Sequence, residues 1–176
     1  MIRPLFFVVC LAAVPGVALA QSPIASDTWL LTPSIGLVLD SDADPSLSAA
    51  VAAAYPFTPN LAVEGELGHL FDLAPDEPLV DASLTTVHGS LLYFLDTDYA
   101  LTPYLAAGLG VGRFSVDAPG PGSFDTTELG FNLVGGVTYP VGDAAWLRGD
   151  FRYFKHIDDV PSAWRFSAGV TLRLGN

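Results

Sequence analysis

WRFSAGVTLRL, residues 164–174, alternates large apolar side chains with small, polar or charged ones. The apolar set is Trp164, Phe166, Val170, Leu172 and Leu174, and the intervening set is Arg165, Ser167, Gly169, Thr171 and Arg173. Successive side chains of a β-strand point to opposite faces, so this pattern predicts a strand with one apolar and one mixed face. The same alternation recurs upstream, which indicates an all-β protein.

Eight candidate strands follow from the alternation and from the turn residues between them. They cover residues 28–39, 46–55, 61–71, 82–94, 102–116, 127–139, 145–157 and 164–174. Compact connectors at 56–60, 96–100 and 140–144 alternate with connectors at 40–45, 72–81, 117–126 and 158–163 that are generally longer or richer in Asp, Gly and Pro. Short turns on one rim and longer loops on the other are typical of an outer-membrane barrel with the short side in the periplasm. We predict an eight-stranded antiparallel up-and-down transmembrane β-barrel with both ends of the barrel domain on the periplasmic side.

The residues of the mixed face indicate whether that face or the apolar face points out of the barrel. In residues 105–112, Leu, Ala and Val alternate with Ala and Gly, and residues 47–55 repeat the pattern with Ser and Ala on the second face. A water-facing exterior would carry many Lys and Glu residues, whereas the narrow lumen of an eight-stranded barrel favours small side chains. The small face is therefore predicted to line the lumen and the apolar face to meet lipid. The alternative is a soluble lipocalin-like barrel with the apolar face inside.

Residues 1–20 are predicted to be a secretory signal peptide, and residues 21–176 the barrel domain. Arg3 is followed by an apolar stretch at 5–17 and by the small-x-small sequence Ala18-Leu19-Ala20. This stretch is too short for a convincing membrane helix. Cys10, the only cysteine, would leave with the signal peptide, which excludes disulfides and thiol catalysis in the mature protein. Removal of Arg3 leaves six basic against nineteen acidic residues, a formal charge of −13 that argues against a nucleic-acid partner.

Charged residues of both signs fall on the predicted lumen face. Buried charges are costly unless they are paired, so we expect a hydrogen-bonded ion network that plugs the barrel. Its predicted members are Glu64, Glu66, His88, Glu128, Arg148, Asp150, Arg152, Arg165 and Arg173. The competing interpretations are a polar path for small solutes and a catalytic site.

His88 and Ser90 share one face of the fourth strand, and a histidine can activate a serine nucleophile. A His-x-Ser pair also occurs in outer-membrane lipid A deacylases, but there it lies later in the chain and faces lipid. Strand parity places His88 and Ser90 in the lumen, so we predict a structural role and no enzymatic activity. The sequence predicts no cofactor and no metal site.

Two basic residues, Arg113 and Lys155, fall on the lipid-facing register near the outer ends of their strands. They are predicted to reach phosphates of lipopolysaccharide in the outer leaflet, with plain interfacial exposure as the alternative. At the opposite end, an aromatic girdle is predicted at the periplasmic interface. It comprises Tyr55, Tyr93, Tyr139 and Trp146.

The predicted outer loops are acidic. Residues 40–44 alternate Asp with Ser and Ala, but Pro45 and Val51 stand where an EF-hand needs Gly and Glu, so that match fails. We expect a solvated acidic surface, with weak divalent-cation bridging to lipopolysaccharide as a hypothesis. Its other acidic residues are Asp72, Asp76, Glu77, Asp81, Asp117, Asp125, Asp158 and Asp159.

Three segments, at residues 55–66, 101–112 and 148–154, resemble the repeated hairpin sequences of outer-membrane β-barrel domain proteins of the OmpA-like and OmpX-like group. Ser167, Gly169, Leu172 and Leu174 resemble the C-terminal signal that the barrel-assembly machinery reads. The resemblance implies a Gram-negative outer-membrane protein, which we expect to be monomeric. We expect no peptidoglycan-binding domain after the barrel, so the anchoring role of full-length OmpA relatives is not expected here. The expected role of the protein is structural or in surface interaction, and its expected partners are outer-membrane lipid, lipopolysaccharide and the barrel-assembly machinery. A small-solute pore and a lipid-modifying enzyme are the alternatives.

Overall fold

A computed structural model describes residues 27–40, 45–71, 81–118, 122–156 and 162–175. Each strand pairs antiparallel with the next, and β8 pairs with β1, which closes the barrel. The strands are β1 (Trp29–Asp40), β2 (Ser46–Pro56), β3 (Leu61–Leu70), β4 (Asp81–Phe94), β5 (Thr102–Ala118), β6 (Gly122–Pro140), β7 (Ala145–His156) and β8 (Ala163–Leu174). The predicted fold class is confirmed. The predicted signal peptide lies outside the described residues.

The two faces of the strands have the predicted orientation. Ile35 and Leu109 on the outside are 72% and 64% exposed, whereas Glu64 and Glu66 on the inside are 4% and 5% exposed. An exterior of Leu, Val, Ile and aromatic side chains around a polar interior is the reverse of a water-soluble barrel. The lipocalin-like alternative is therefore wrong.

The β5–β6 hairpin is longer than the sequence predicted. Strands were expected at 102–116 and 127–139 with a loop between them, but β5 extends to Ala118 and β6 begins at Gly122. Phe124 and Thr126 pair in register with Val116 and Phe114. The Gly and Pro residues of this connector are confined to 119–122, and the polar residues on either side continue the ladder by pairing across it.

The short turns lie together at one rim, which is the predicted periplasmic one. Main-chain hydrogen bonds close them: Phe57 N donates to Leu61 O at 3.0 Å, and Val141 N donates to Ala145 O at 3.0 Å. Just inside this rim the lumen is filled by an apolar layer. Its members are Leu30, Ala54, Ala62, Leu92, Phe94, Tyr104, Ala106, Val134 and Trp146.

Trp146 belongs to this apolar layer and not to the aromatic girdle, so its predicted position at the lipid interface is wrong. It is 5% exposed because it shares the inward register of β7 with Arg148. Tyr93 and Tyr139 do face outward, at 50% and 39% exposure. Trp29, which was not among the predicted girdle residues, lies on the outer face with its ring 5.2 Å from that of Tyr55.

Candidate functional site in the barrel lumen

A cluster of six charged side chains crosses the middle of the lumen. Strands β3 and β7 are four positions apart in a closed ring of eight, so they face each other across the barrel. Alternation in each strand turns the charged residues inward at every second position. The cluster comprises Glu64 and Glu66 of β3, Arg148, Asp150 and Arg152 of β7, and Arg165 of β8.

The half of the cluster nearer the periplasm is built on Arg148. Its Nη1 donates to Glu64 Oε2, and its Nη2 donates to Glu64 Oε1 at 3.2 Å, so the pair is bidentate. Its Nε donates to the hydroxyl of Tyr104 at 2.7 Å and to Asp150 Oδ2 at 3.1 Å. Planar guanidinium and carboxylate groups match in this geometry, which makes such pairs strong and directional.

The outer half is built on Glu66. Arg165 Nη2 donates to both oxygens of Glu66, at 2.8 and 2.9 Å. Arg152 Nη2 lies 3.0 Å from Glu66 Oε2 and 3.4 Å from Glu64 Oε1, so Arg152 links the two halves. The Arg152 and Arg165 guanidinium carbons also lie 6.0 and 5.4 Å from the ring centroid of Phe154, within cation–π range.

The cluster is neutral and buried. Three guanidinium groups face three carboxylates, and the side chains of Arg152 and Glu64 are 0% and 1% exposed. Ion pairs this deeply buried offset their loss of hydration only when each charge has several partners. Within the described part of the chain, Nε and Nη1 of Arg152 and of Arg165 make no hydrogen bond, so the outer half is the less completely satisfied one.

Tyr104 and Ser167 complete the cluster, although neither was among its predicted members. The Tyr104 hydroxyl donates to Asp150 Oδ2 at 3.0 Å while it accepts from Arg148, and Ser167 Oγ donates to Asp150 Oδ1 at 2.6 Å. Tyr104 fits because Gly136 lies opposite it in the register, where a Cβ would overlap the tyrosine ring. The sequence signal for this position was a large inward-facing residue, Tyr104, on one strand and a glycine, Gly136, on the next.

His88 and Ser90 lie beside the cluster on β4, in register with Glu66 and Glu64 of β3. Asn132 joins them: it accepts from Ser90 Oγ at 3.2 Å, and its Nδ2 lies 3.2 Å from His88 Nδ1. The amide nitrogen is a donor only, so Nδ1 accepts in this contact. The His88 ring packs 5.1 Å from that of Phe154 and occupies the space left by Gly110.

Glu128 and Arg173 lie on the inner register as predicted, but they lie outside the cluster. Glu128 is half-buried opposite Gly112, toward the outer rim, and makes none of the cluster's ion pairs. Arg173 is at the periplasmic rim, where its Nη2 donates to the main-chain oxygen of Asp143 at 2.5 Å. The prediction that Glu128 and Arg173 belong to the ion network is therefore wrong. Alternation along a strand tells which face a side chain is on, but not how deep in the barrel it lies.

The remaining predicted residues lie on the strand faces that the sequence indicated. Arg113 and Lys155 are on the outer face, exposed and half-exposed respectively. Leu172 and Leu174 also face outward, at 39% and 48% exposure. Gly169 faces inward opposite Ser34, and a Cβ there would lie 2.8 Å from that of Ser34, so this position needs a residue without a side chain.

Most of the acidic residues predicted for the outer loops lie outside the described residues. For others, such as Asp81 and Asp125, only the main chain is described. In the part of the chain that is described, no group of three or more His, Cys, Asp or Glu side chains is placed to hold a metal ion. No helix of the described segments has the length and hydrophobicity that crossing a membrane requires.

Three solved structures share this architecture. Neisserial surface protein A has a TM-score of 0.69 and 24% identity, over 83% of this chain and 96% of that chain. The attachment invasion locus protein Ail of Yersinia pestis has a TM-score of 0.61 and 13% identity, over 84% and 97%. The N-terminal barrel domain of Pseudomonas aeruginosa OprF has a TM-score of 0.60 and 14% identity, over 82% and 97%. At these identities the likeness is one of fold.

The sequence itself gives the family. No curated protein sequence matches the chain. The sequence profile of the outer membrane protein beta-barrel domain, however, matches residues 7–173, nearly the whole chain. Together with the closed eight-stranded barrel and its apolar exterior, this match assigns both family and location. The chain is a Gram-negative outer-membrane protein and belongs to the outer membrane protein beta-barrel domain family.

Proposed function

We propose that this protein is a closed barrel that serves the outer membrane as a structural and surface-interaction protein, and that it is neither a channel nor an enzyme. The observation that carries the proposal is the neutral charged cluster across the lumen, which lies directly outward of the apolar layer. A permeating ion or polar solute would have to displace bidentate ion pairs and then cross an apolar section. Both steps are costly in a medium of low dielectric constant.

The space left inside supports a closed lumen. One cavity lies in the apolar layer beside Trp146 and Arg148, and a second lies beside His88, Phe131 and Lys155. Each has room for about one water molecule. These two spaces lie on opposite sides of the charged cluster and share no lining residue, so within the described part of the lumen they do not join into a water path.

Single-channel recording in planar bilayers tests the proposal. We expect no discrete conductance steps from the purified protein, with a general porin reconstituted in the same bilayers as the positive control. A Glu64→Ala, Arg148→Ala double variant removes the inner ion pair and is expected to raise leak current. The lipid-facing Leu109→Ala variant is the matched control and should stay silent. Stable ohmic steps from the unaltered protein would establish a small-solute pore and overturn the proposal.

The absence of enzymatic activity is proposed from the placement of His88 and Ser90. Both are buried, at 6% and 8% exposure, and both bond Asn132 inside the barrel, away from the lipid face where an acyl chain would lie. Mass spectra of lipid A from cells that express the protein or its Ser90→Ala variant should be identical. A modified lipid A that disappears with Ser90→Ala would show a lipid-modifying enzyme.

Arg113 and Lys155 are proposed to bind lipopolysaccharide phosphates because they lie at the right depth. Tyr139 marks the periplasmic interface, and Phe131, eight residues away on β6, stands opposite Lys155. Eight residues at about 3.4 Å each, tilted by about 40°, cover roughly 21 Å along the barrel axis. Tyr93 marks the same interface on β4 and stands opposite Leu105, which is also eight residues from Arg113 on β5. Since the apolar band of such barrels is about 25 Å tall, both cations lie near its outer boundary.

A further inference from the structure

The charged cluster is neutral as a whole, but its two halves are not. Near the periplasm, one guanidinium group, that of Arg148, bonds two carboxylates. Further out, the guanidinium groups of Arg152 and Arg165 make their shortest ion pairs, at 3.0 and 2.8 Å, with the single carboxylate of Glu66. The outer half therefore carries an excess of one positive charge, which is costly in a buried region of low dielectric constant.

Most hydrogen-bond donors of these two guanidinium groups have no acceptor. Only the Nη2 atoms of Arg152 and Arg165 contact carboxylates, and among the described residues nothing accepts from Nε or Nη1 of either group. The two side chains are 0% and 1% exposed, so bulk water does not satisfy these donors. Buried cationic donors without a partner point to an acceptor that carries negative charge.

Thr86 supplies a further unused donor, and it borders an open space. Its Oγ1 is buried and makes no hydrogen bond within the described part of the chain. Thr86 stands opposite Gly68, which stands opposite Ala50, and Ala50 is only partly buried although it faces the lumen. A Cβ at Gly68 would lie 2.7 Å from Thr86 Oγ1 and 3.4 Å from Arg165 Nη1. Because glycine has no side chain, both donors border the same space.

We propose that this space binds a small monovalent anion such as chloride, held by the Thr86 hydroxyl and Arg165 Nη1 close to Arg152. One negative charge balances the excess positive charge of the outer half, whereas a water molecule would leave that charge uncompensated. Two donors that share one acceptor stand roughly 6 Å apart or less. Their distances from the Cβ position of Gly68 keep Thr86 Oγ1 and Arg165 Nη1 within that range.

The chemistry of the site predicts which anions it prefers. A guanidinium group is weakly hydrated, and a buried site requires its ion to give up water. Chloride and bromide lose their water more easily than fluoride does, so they are expected to bind more tightly. Sulfate would add a second negative charge that the outer half does not balance. The preference distinguishes a built site from general screening by salt.

Urea unfolding of the full-length protein in phosphatidylcholine vesicles tests the inference. Sodium chloride is compared with sodium gluconate at equal ionic strength, because gluconate is too large for the space and equal ionic strength cancels screening. A ligand that binds only the folded state lowers the unfolding equilibrium constant by the factor 1 + [ligand]/Kd. We expect this constant to fall about tenfold when chloride reaches ten times its Kd. The folded protein should also broaden the chloride NMR line.

Two variants localise the anion. Thr86→Val keeps the shape of the side chain but removes the hydroxyl, so chloride binding should weaken about tenfold, the effect of losing one hydrogen bond to a charged group. In gluconate this variant should be no less stable than the native protein, because it loses an unpaired buried hydroxyl. Gly68→Ala fills the space beside both donors and should abolish the chloride effect. Each variant is compared with itself in the two salts, so a general loss of stability cancels.

Three matched controls should keep the full chloride effect. Thr138→Val is the same substitution elsewhere in the lumen, where Thr138 bonds the main-chain oxygen of Thr102. Gly65→Ala changes a glycine of the same strand that faces lipid. The Arg113→Ala, Lys155→Ala variant removes two cations of the outer face and so tests whether chloride acts at the surface.

Every other outcome overturns the inference. Equal stability in chloride and gluconate, without broadening of the chloride line, would assign the unused donors to water or to an acidic side chain of the chain itself. A chloride effect that survives unchanged in Thr86→Val and Gly68→Ala would place the ion elsewhere. An equal effect of fluoride or sulfate at the same ionic strength would reduce the observation to screening.

Discussion

Glu66 holds two guanidinium groups at once, so it is the residue on which the outer half of the cluster depends. We expect Glu66→Gln to lower the free energy of unfolding by about 3 kcal/mol, because removing one partner of a buried pair leaves uncompensated charge. Urea unfolding in lipid vesicles measures this change. The matched control is Glu128→Gln, the same substitution on the same face but outside the cluster, which should change stability by less than about 0.5 kcal/mol. Equal losses in the two variants would contradict the assignment.

Gly136 makes room for Tyr104, and filling that room tests the inner half of the cluster. In Gly136→Ala the new methyl group would overlap the tyrosine ring, which would have to move away from Arg148 and Asp150. We expect a loss of about 1–3 kcal/mol in unfolding free energy. Gly65→Ala is the control, because a Cβ at Gly65 meets nothing within 4 Å on the lipid face. If both variants unfold like the native protein, Tyr104 is not anchored as described.

At the scale of residues, parity along a strand gave the face of each charged side chain but not its neighbours. Glu66, Arg152 and Arg165 meet because the stagger between strands brings these positions of β3, β7 and β8 to similar depths in the barrel. Arg173 has the same parity as Arg165 but lies eight positions nearer the periplasm, where it bonds the turn at Asp143. The stagger is a property of the closed barrel, so a single strand's sequence could not supply it.

At the scale of elements, most strand ends follow from local turn chemistry. Asn60 illustrates this at the β2–β3 turn, since its main-chain N–H donates to Thr58 Oγ1 at 3.3 Å and its side chain donates to Phe94 O at 3.0 Å. The β5–β6 hairpin could not be predicted in the same way, because the polar residues Asp117 and Ser123 look like loop residues yet pair with each other. Cross-strand pairing decided the hairpin length, and composition did not.

Strand β8 both closes the barrel against β1 and carries the residues that resemble an assembly signal. We expect Leu172→Asn with Leu174→Asn to reduce the folded, heat-modifiable protein in the outer membrane several-fold, while refolding of the purified chain into detergent changes little. Val170→Asn is the matched control, since Val170 is also a lipid-facing residue of β8, at 36% exposure, but lies outside the motif. An equal loss with Val170→Asn would show that only general hydrophobicity matters.

At the scale of the whole molecule, the lumen is layered from the periplasm outward. The apolar layer around Leu92 and Trp146 comes first and the neutral charged cluster follows it, with His88, Ser90 and Asn132 beside the cluster on β4 and β6. The buried apolar side chains therefore lie at the end with the short turns, and the long β5–β6 hairpin lies at the other. This polarity fits a protein whose inner half provides stability and whose outer half provides contact surface.

The depth of the barrel in its membrane predicts that Arg113 and Lys155 stabilise the protein through phosphates of lipopolysaccharide. Because both lie near the outer boundary of the apolar band, bilayers with lipopolysaccharide in the outer leaflet should stabilise the protein relative to phosphatidylcholine bilayers. A basic side chain near an anionic membrane surface is worth about 1 kcal/mol, so we expect the Arg113→Ala, Lys155→Ala variant to lose about 2 kcal/mol of this stabilisation. The Arg113→Lys, Lys155→Arg variant keeps both charges and should retain most of it. Unfolding measured in the two bilayers for all three proteins gives the comparison. If the double-alanine variant is stabilised by lipopolysaccharide as much as the native protein, the phosphate contact is absent and the two cations are simply exposed at the interface.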